Sequence, residues 1–178
     1  MRVTGGRLAS RKLIPPPKGS RSVRPTSDRA RETLFAILGD VSDLSVLDLF
    51  AGTGALAIEA LSRGADSAVL VDRAPALARR NVAELGLERR CEVIRGDAVR
   101  FAERAVERKD RYGLILCDPP YRLADPLGGR LAKLLPPLLA RFGRLVLESA
   151  ARSPLEVDLP LVAERKIGEA LIRIHSKK

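Results

Sequence analysis

Two short motifs and four aspartates carry the chemistry of this sequence. Asp118-Pro119-Pro120-Tyr121 follows the apolar run Gly113–Cys117. Consecutive prolines stiffen the backbone after a strand and remove two N–H donors, which leaves carbonyls free to accept from a ligand. Asp118 adds a carboxylate acceptor. Tyr121 adds a flat aromatic face in a chain with six aromatics and no tryptophan. The set suits a planar ligand bearing an exocyclic amine: one N–H is accepted by Asp118, the other by the Pro119 carbonyl, and the ring stacks on Tyr121. Such an amine is a poor nucleophile because its lone pair is delocalised into the ring. Holding both hydrogens favours the pyramidal nitrogen and stabilises the positive charge that develops on it. Residues 118–121 are therefore the candidate catalytic motif; the plainer reading is a rigid strand-end turn with a core tyrosine.

The second motif lies in VLDLFAGTGALAIEALSRGA, residues 46–65. Val46, Leu47, Leu49 and Phe50 form a short apolar run, as in a buried parallel strand, with Asp48 inside it. The chain breaks at Ala51-Gly52-Thr53-Gly54 and resumes as a helix with apolar residues at 56, 57, 60 and 61. Glycines let backbone approach a ligand closely, and the helix start offers free N–H groups. Asp72 closes the apolar run Ala68–Val71, 20 residues past Gly52, where a carboxylate can accept both ribose hydroxyls. Asp97 follows the strand Cys91–Arg95; its carboxylate or the Ala98 N–H can meet an adenine edge, although a helix N-cap is the plainer role. The candidate cofactor residues are Asp48, Ala51, Gly52, Thr53, Gly54, Asp72, Arg73, Asp97 and Ala98. They imply an adenosine-containing cofactor. Gly52-x-Gly54-x-x-Ala57 also fits a dinucleotide fingerprint, so this motif alone leaves the cofactor open.

The elements that must position these residues alternate. Strands are predicted near 45–50, 67–72, 91–95, 112–117 and 143–149, and helices near 54–63, 75–85, 97–109 and 128–140. This predicts an α/β fold with a doubly wound, mainly parallel sheet, whose ligands bind beyond the carboxyl ends of the strands. Val162–Ile167 and Ala170–Ser176 predict a C-terminal antiparallel hairpin, placing an antiparallel strand at the end of the sheet. Pro25-Thr26-Ser27-Asp28 starts a helix that runs to about Leu38. Ala30, Leu34, Ile37 and Leu38 are expected on its buried stripe, with Arg29, Arg31 and Glu32 outside. Arg2–Thr4 and Arg7–Leu13 predict a small basic β-hairpin around Gly5-Gly6, and Pro15–Ser20 an irregular linker.

Length and composition suit one domain with a real core plus an appendage. No run of about 18 apolar residues exists and the N-terminus lacks an apolar signal core, which predicts a cytoplasmic protein without a membrane span. Cys91 and Cys117 read as reduced core thiols, no metal is expected, and His175, the one histidine, reads as structural. The net charge of +10 is uneven: residues 1–27 carry seven basic side chains and no acid. A polyanion is the natural partner. The candidate contacts are Arg2, Arg7, Arg11, Lys12, Arg24, Arg29 and Arg31.

The order DLFAGTG, VDR, GDA, DPPY resembles class I S-adenosylmethionine-dependent methyltransferases acting on amino nitrogens. The N-terminal stretches narrow the likeness. Arg2–Gly6, Arg11-Lys12-Leu13 and Arg24–Phe35 (RPTSDRARETLF) resemble the RsmD family, which methylates the N2 of one guanine in bacterial 16S ribosomal RNA. Ser10 stands where that family usually has glycine, and the C-terminal hairpin matches only loosely around Lys166 and Gly168. The resemblance implies a Rossmann-like methyltransferase domain over 25–178 and a basic RNA-binding hairpin and linker over 1–24. It also implies S-adenosylmethionine as cofactor, S-adenosylhomocysteine as product, and 16S rRNA as substrate, free or within a partly assembled 30S subunit. By the family's motifs, Asp48 and Gly52–Gly54 take the methionine end, Asp72 the ribose, Asp97 the adenine, and Asp118–Tyr121 the catalytic role. Residue chemistry alone does not separate guanine N2 from adenine N6 in DNA or RNA, since both are exocyclic amines. A nicotinamide oxidoreductase leaves Asp118–Tyr121 and the basic arm without a role, and a non-catalytic RNA-binding module leaves the glycine turn without one.

Overall fold

The computed structural model describes residues 1–17, 27–119, 121–167 and 169–178, except the side chains of 121–126 and 167. After helix α1 (Asp28–Leu38) come β1 (Ser45–Leu49), α2 (Ala55–Ser62), β2 (Ser67–Asp72), α3 (Ala76–Glu84), β3 (Cys91–Arg95), α4 (Ala98–Glu107) and β4 (Tyr112–Cys117). The chain continues as α5 (Tyr121–Leu138), β5 (Leu139–Ala150), β6 (Leu161–Ile167) and β7 (Ala170–Ser176). The seven strands form one sheet in the order β3-β2-β1-β4-β5-β7-β6. β1 to β5 are parallel, and β7 runs antiparallel to both of its neighbours.

Burial follows from this topology. Every residue of β4 is buried, as a central parallel strand covered on both faces must be. Side chains of α1, α2 and α3 pack on one face of the sheet, and α4 and α5 on the other. The mainly parallel, doubly wound α/β sheet with its C-terminal hairpin is thus borne out. The reversed strand does not sit at the edge, however; it is inserted between β5 and β6. β7 carries the buried Leu171, Ile172 and Ile174, whereas β6 exposes Glu164, Arg165 and Lys166. The more apolar strand takes the interior position, and the charged one blunts the edge.

α1 starts as expected: the Ser27 hydroxyl accepts from the Ala30 N–H at 3.1 Å. Its buried stripe is Arg31, Leu34, Phe35 and Leu38, one step round from the expected one. Arg31 faces inward because two carboxylates await it. It donates to Asp28 at 2.8 Å and lies 3.8 Å from the buried Glu59 of α2. A charge buried this deeply is tolerated only when paired.

The expected N-terminal hairpin reduces to one antiparallel bridge, Arg2–Lys12, joined by a 3-10 turn over Gly6–Leu8. It is bonded to the domain. The Thr4 N–H and hydroxyl donate to Glu59 at 2.8 and 2.7 Å, and the Leu8 N–H donates to the Ser62 hydroxyl at 2.9 Å. Val3 and Leu13 join the core. Gly6, at φ 74°, lies so close to α2 that a Cβ there would meet the Ser62 carbonyl oxygen at 1.9 Å. Ser10 has φ 68°, the left-handed conformation that favours glycine.

Candidate active site at the carboxyl edge of the sheet

Strand register brings the candidate residues to one edge. β1 and β4 are neighbours whose pairing ends at Leu49 opposite Cys117, so Phe50-Ala51 and Asp118-Pro119 leave the sheet side by side. On the other flank of β1, Leu49 pairs with Val71, which places Asp72 next to the glycine turn. From β1 the chain moves outwards to β2 and β3 and then crosses back to β4 on the other flank of β1, the switch point where open α/β sheets bind ligands.

The turn itself is tightly held. Phe50 has φ 64°, which is costly for a bulky residue, on the order of 1–3 kcal/mol. The N–H groups of Phe50 and Ala51 both donate to the Val71 carbonyl, at 3.0 and 3.2 Å. This turns the chain away from β1 and up to Gly52 and Gly54, at φ 55° and 76°. A Cβ on Gly54 would meet Leu70 Cδ2 at 2.8 Å, so that position needs glycine for packing as well as for conformation. The strained Phe50 is a feature the sequence reading missed, since no local signal marks it.

The acids fall into distinct environments. Asp72 accepts from the Gly52 N–H and the Ala74 N–H, each at 2.8 Å, one on each carboxylate oxygen. Each oxygen keeps a second lone pair for a hydroxyl donor. Asp48 is buried beneath the turn and accepts from the Ala57 N–H in the first turn of α2 at 3.3 Å. Burial, assisted by the charge of Asp72, pushes its pKa up to about 7. Asp97 caps α4 by accepting from the Arg100 N–H at 3.0 Å, and it pairs with exposed Arg73 at 2.5 Å. Its carboxyl is held below the ordinary range mainly by that amide and then by the Arg73 guanidinium. Ala51 and Gly52 are half-buried, while Thr53 and Ala98 are buried.

Asp118 is half-buried and Pro119 buried. Pro120 and the Tyr121 side chain lie outside the described residues. Burial raises the Asp118 carboxyl well above the ordinary range, and the charges of Glu148 and then Asp48 add to it. Glu148 is a second residue the sequence reading missed. Cys117 pairs with Leu147 across β4 and β5, so Asp118 and Glu148 are register neighbours. An acid near the carboxyl end of an apolar strand, as at Asp48 and Asp72, was the signal available.

Of the basic candidates, Arg2, Arg7, Arg11, Lys12 and Arg29 are exposed. Arg31 is wholly buried by its ion pairs, which removes it from any surface contact. Arg24 lies outside the described residues. Cys91 and Cys117 are buried free thiols, and burial pushes Cys91 up to about 12, so neither is poised for chemistry. His175 is buried with Nδ1 3.1 Å from the Leu159 carbonyl, a structural role. Among the described residues, no group of three or more His, Cys, Asp or Glu is placed to hold a metal ion, and no helix is long and apolar enough to cross a membrane. A shallow apolar groove between α1 and the C-terminal strands, lined by Ala30, Ile37, Ala163 and Ile172, opens away from this chemistry.

A glycine turn after β1, acids at or just past the carboxyl ends of β2, β3 and β4, and this strand order define a Rossmann-like methyltransferase domain. The solved structure of yhhF from Escherichia coli superposes with a TM-score of 0.80 at 30% identity, covering 100% of this chain and 98% of its own. A structure complexed with SAH shares the fold at 16% identity and a TM-score of 0.67, over 87% of this chain and 50% of its own. The family model described as "Conserved hypothetical protein 95" matches residues 1–176. The chain belongs to this family, the RsmD family of methyltransferases. It is 37% identical over 125 residues to the ribosomal RNA small subunit methyltransferase D of Escherichia coli (strain K12). That alignment covers 68% of this chain and 61% of the relative, so the chain spans about three fifths of the relative's length.

Proposed function

We propose that this protein transfers the methyl group of S-adenosylmethionine to the exocyclic N2 of a guanine in 16S ribosomal RNA. The observation that carries the reading is the charge of the crevice. Burial holds the Asp48 and Asp118 carboxyls above their ordinary range, with repulsion from Asp72 at the first and from Glu148 and then Asp48 at the second. Such a site favours a cation, because a nearby positive charge restores the ionised forms. S-adenosylmethionine is a sulfonium with an ammonium group, whereas the pyrophosphate of a nicotinamide dinucleotide would add negative charge. The residues therefore fit the first cofactor: Asp72 for the ribose, the Gly52–Gly54 turn for the methionine end, and Asp97 with Ala98 near the adenine.

The sulfonium supplies an activated methyl group. The chain's own residues prepare the acceptor. Asp118 accepts one N–H of the guanine amine and the Pro119 carbonyl the other, which localises the lone pair on nitrogen and directs it outwards. As bonding develops, the nitrogen becomes positive and the Asp118 carboxylate stabilises it; the surplus proton then leaves to Asp118 or water. Tyr121 is assigned the stacking face for the flipped base. Arg2, Arg7, Arg11, Lys12 and Arg29 hold the flanking phosphates, and Arg24 is assigned with them. Kinship with a small-subunit rRNA methyltransferase supports rRNA as substrate over DNA.

Calorimetry tests the cofactor half of the reading. S-adenosylhomocysteine should bind and NAD should not, and Asp72→Ala should weaken S-adenosylhomocysteine binding by roughly 1–3 kcal/mol. Normal binding by that variant would refute the ribose assignment.

A further inference from the structure

Asn81 is the only asparagine in the chain and is 1% exposed. It sits in α3, away in sequence from both the N-terminal arm and the glycine turn, yet its amide joins them. Its Oδ1 accepts from the Ile14 N–H of the N-terminal arm at 2.7 Å. Its Nδ2 donates to the Ile14 carbonyl at 3.3 Å and to the Thr53 carbonyl at 2.9 Å. Both N–H groups and the oxygen are thus engaged, and the amide orientation is fixed, because a flip would set its NH2 against the Ile14 N–H.

The Thr53 carbonyl belongs to the peptide between Thr53 and Gly54, inside the cofactor turn. Gly52 and Gly54 flank it at positive φ, and glycine neighbours leave a peptide plane free to rotate. Rotation would swing the Gly54 N–H away from the Ala51 carbonyl, which it meets at 2.7 Å, and would redirect the donors of the turn. Asn81 prevents this, and its hold depends in turn on where Ile14 lies. The arm is fastened a second time to α2, the helix whose N-cap is Gly54, through Glu59 and Ser62.

We infer that Asn81 is a positioning residue that couples the arm to the cofactor turn, so that RNA held by the arm tightens cofactor binding and the cofactor tightens RNA binding by the same factor. The inference rests on the RNA-binding reading of the arm. Phosphates gripped by Arg11 and Lys12 restrain the segment that leads to Ile14. The restrained Ile14 orients the Asn81 amide, and the amide fixes the turn in its accepting shape. A turn ordered by one ligand asks less ordering of the second, which makes the coupling positive.

The test is the dissociation constant of S-adenosylhomocysteine with and without a 16S rRNA transcript, in wild type, Asn81→Ala and Ile14→Pro. In wild type, RNA should tighten binding about fivefold or more. In Asn81→Ala the ratio should fall to near one. A packing role alone would weaken both measurements alike and leave the ratio unchanged, which would overturn the inference, as would a wild-type ratio of one. Ile14→Pro removes the arm's donor to Asn81, fixes φ at 14 and restricts Leu13, all without altering a residue of the cofactor turn. It should still weaken S-adenosylhomocysteine binding about fivefold without RNA, the effect of one net hydrogen bond. This arm decides the matter should Asn81→Ala fail to fold, and unchanged affinity would overturn the link. Wild type that binds cofactor but no RNA would sink the proposed substrate, while Ile14→Pro would still decide the link.

Discussion

Asp48→Asn provides a quantitative test of the site's electrostatics. Folding carries this carboxyl from an ordinary pKa near 3.8 to about 7, chiefly by burial. That change corresponds to about 4 kcal/mol. The sign follows from linkage. Below about pH 4 the group is protonated in both folded and unfolded chains and contributes nothing. Between there and about pH 7 the unfolded chain ionises while the folded one keeps its proton, so stability falls as pH rises; above about pH 7 the full penalty remains. Asparagine preserves an acceptor for the Ala57 N–H but cannot ionise. The variant should match wild type near pH 4 and exceed it by up to about 4 kcal/mol near pH 8, read by urea unfolding of the cofactor-free protein. Stability curves for the two proteins that run parallel across this range would refute the buried, proton-holding Asp48.

Four further outcomes follow from the same geometry. Asp118→Ala should lower kcat about 100-fold or more with cofactor affinity nearly intact, because its acceptor matters most as charge develops on the amine. Since burial and Glu148 raise the Asp118 pKa, activity should rise with pH through an acid limb above the ordinary carboxylate range, and Glu148→Gln should move that limb to lower pH. Neutralising Arg7, Arg11 and Lys12 together should flatten the salt dependence of RNA binding by a logarithmic slope of about 2, at about 0.7 per single-stranded phosphate contact; an unchanged slope would remove the arm from the interface. Ser10→Gly should stabilise the fold by roughly 0.5–1 kcal/mol in thermal unfolding, because Ser10 occupies a left-handed conformation at φ 68°.

What the sequence disclosed was local, and what it withheld depended on contacts between distant segments. The Gly52–Gly54 turn, the strand-tip acids Asp72 and Asp118, and the Ser27 cap are legible because each uses residues a few positions apart. Arg31 reads as a surface cation until Glu59, 28 positions on, is known to face it. Glu148 gains meaning only from the register that sets β5 beside β4. The place of β7 between β5 and β6 is likewise a matter of which strand is worth burying, not of local pattern. Helix α5 begins at Tyr121 rather than near 128 and ends at Leu138, and β5 begins at once at Leu139 rather than near 143. Pro126 lies inside α5 and Pro136 and Pro137 in its last turn, and packing of Leu131, Leu135 and Leu138 in the core sustains the helix despite them. The arm's two fastenings, through Glu59 and Asn81, have no signature in sequence at all.

The central claim is the identity of the methylated atom. Purified protein is incubated with S-adenosylmethionine carrying a labelled methyl group and with 16S rRNA, both free and within 30S particles that lack the modification, and the RNA is digested to nucleosides for mass spectrometry. The label should appear in N2-methylguanosine at a single position and be absent with Asp118→Ala. Label in N6-methyladenosine, or in no nucleoside of either substrate, would contradict the account.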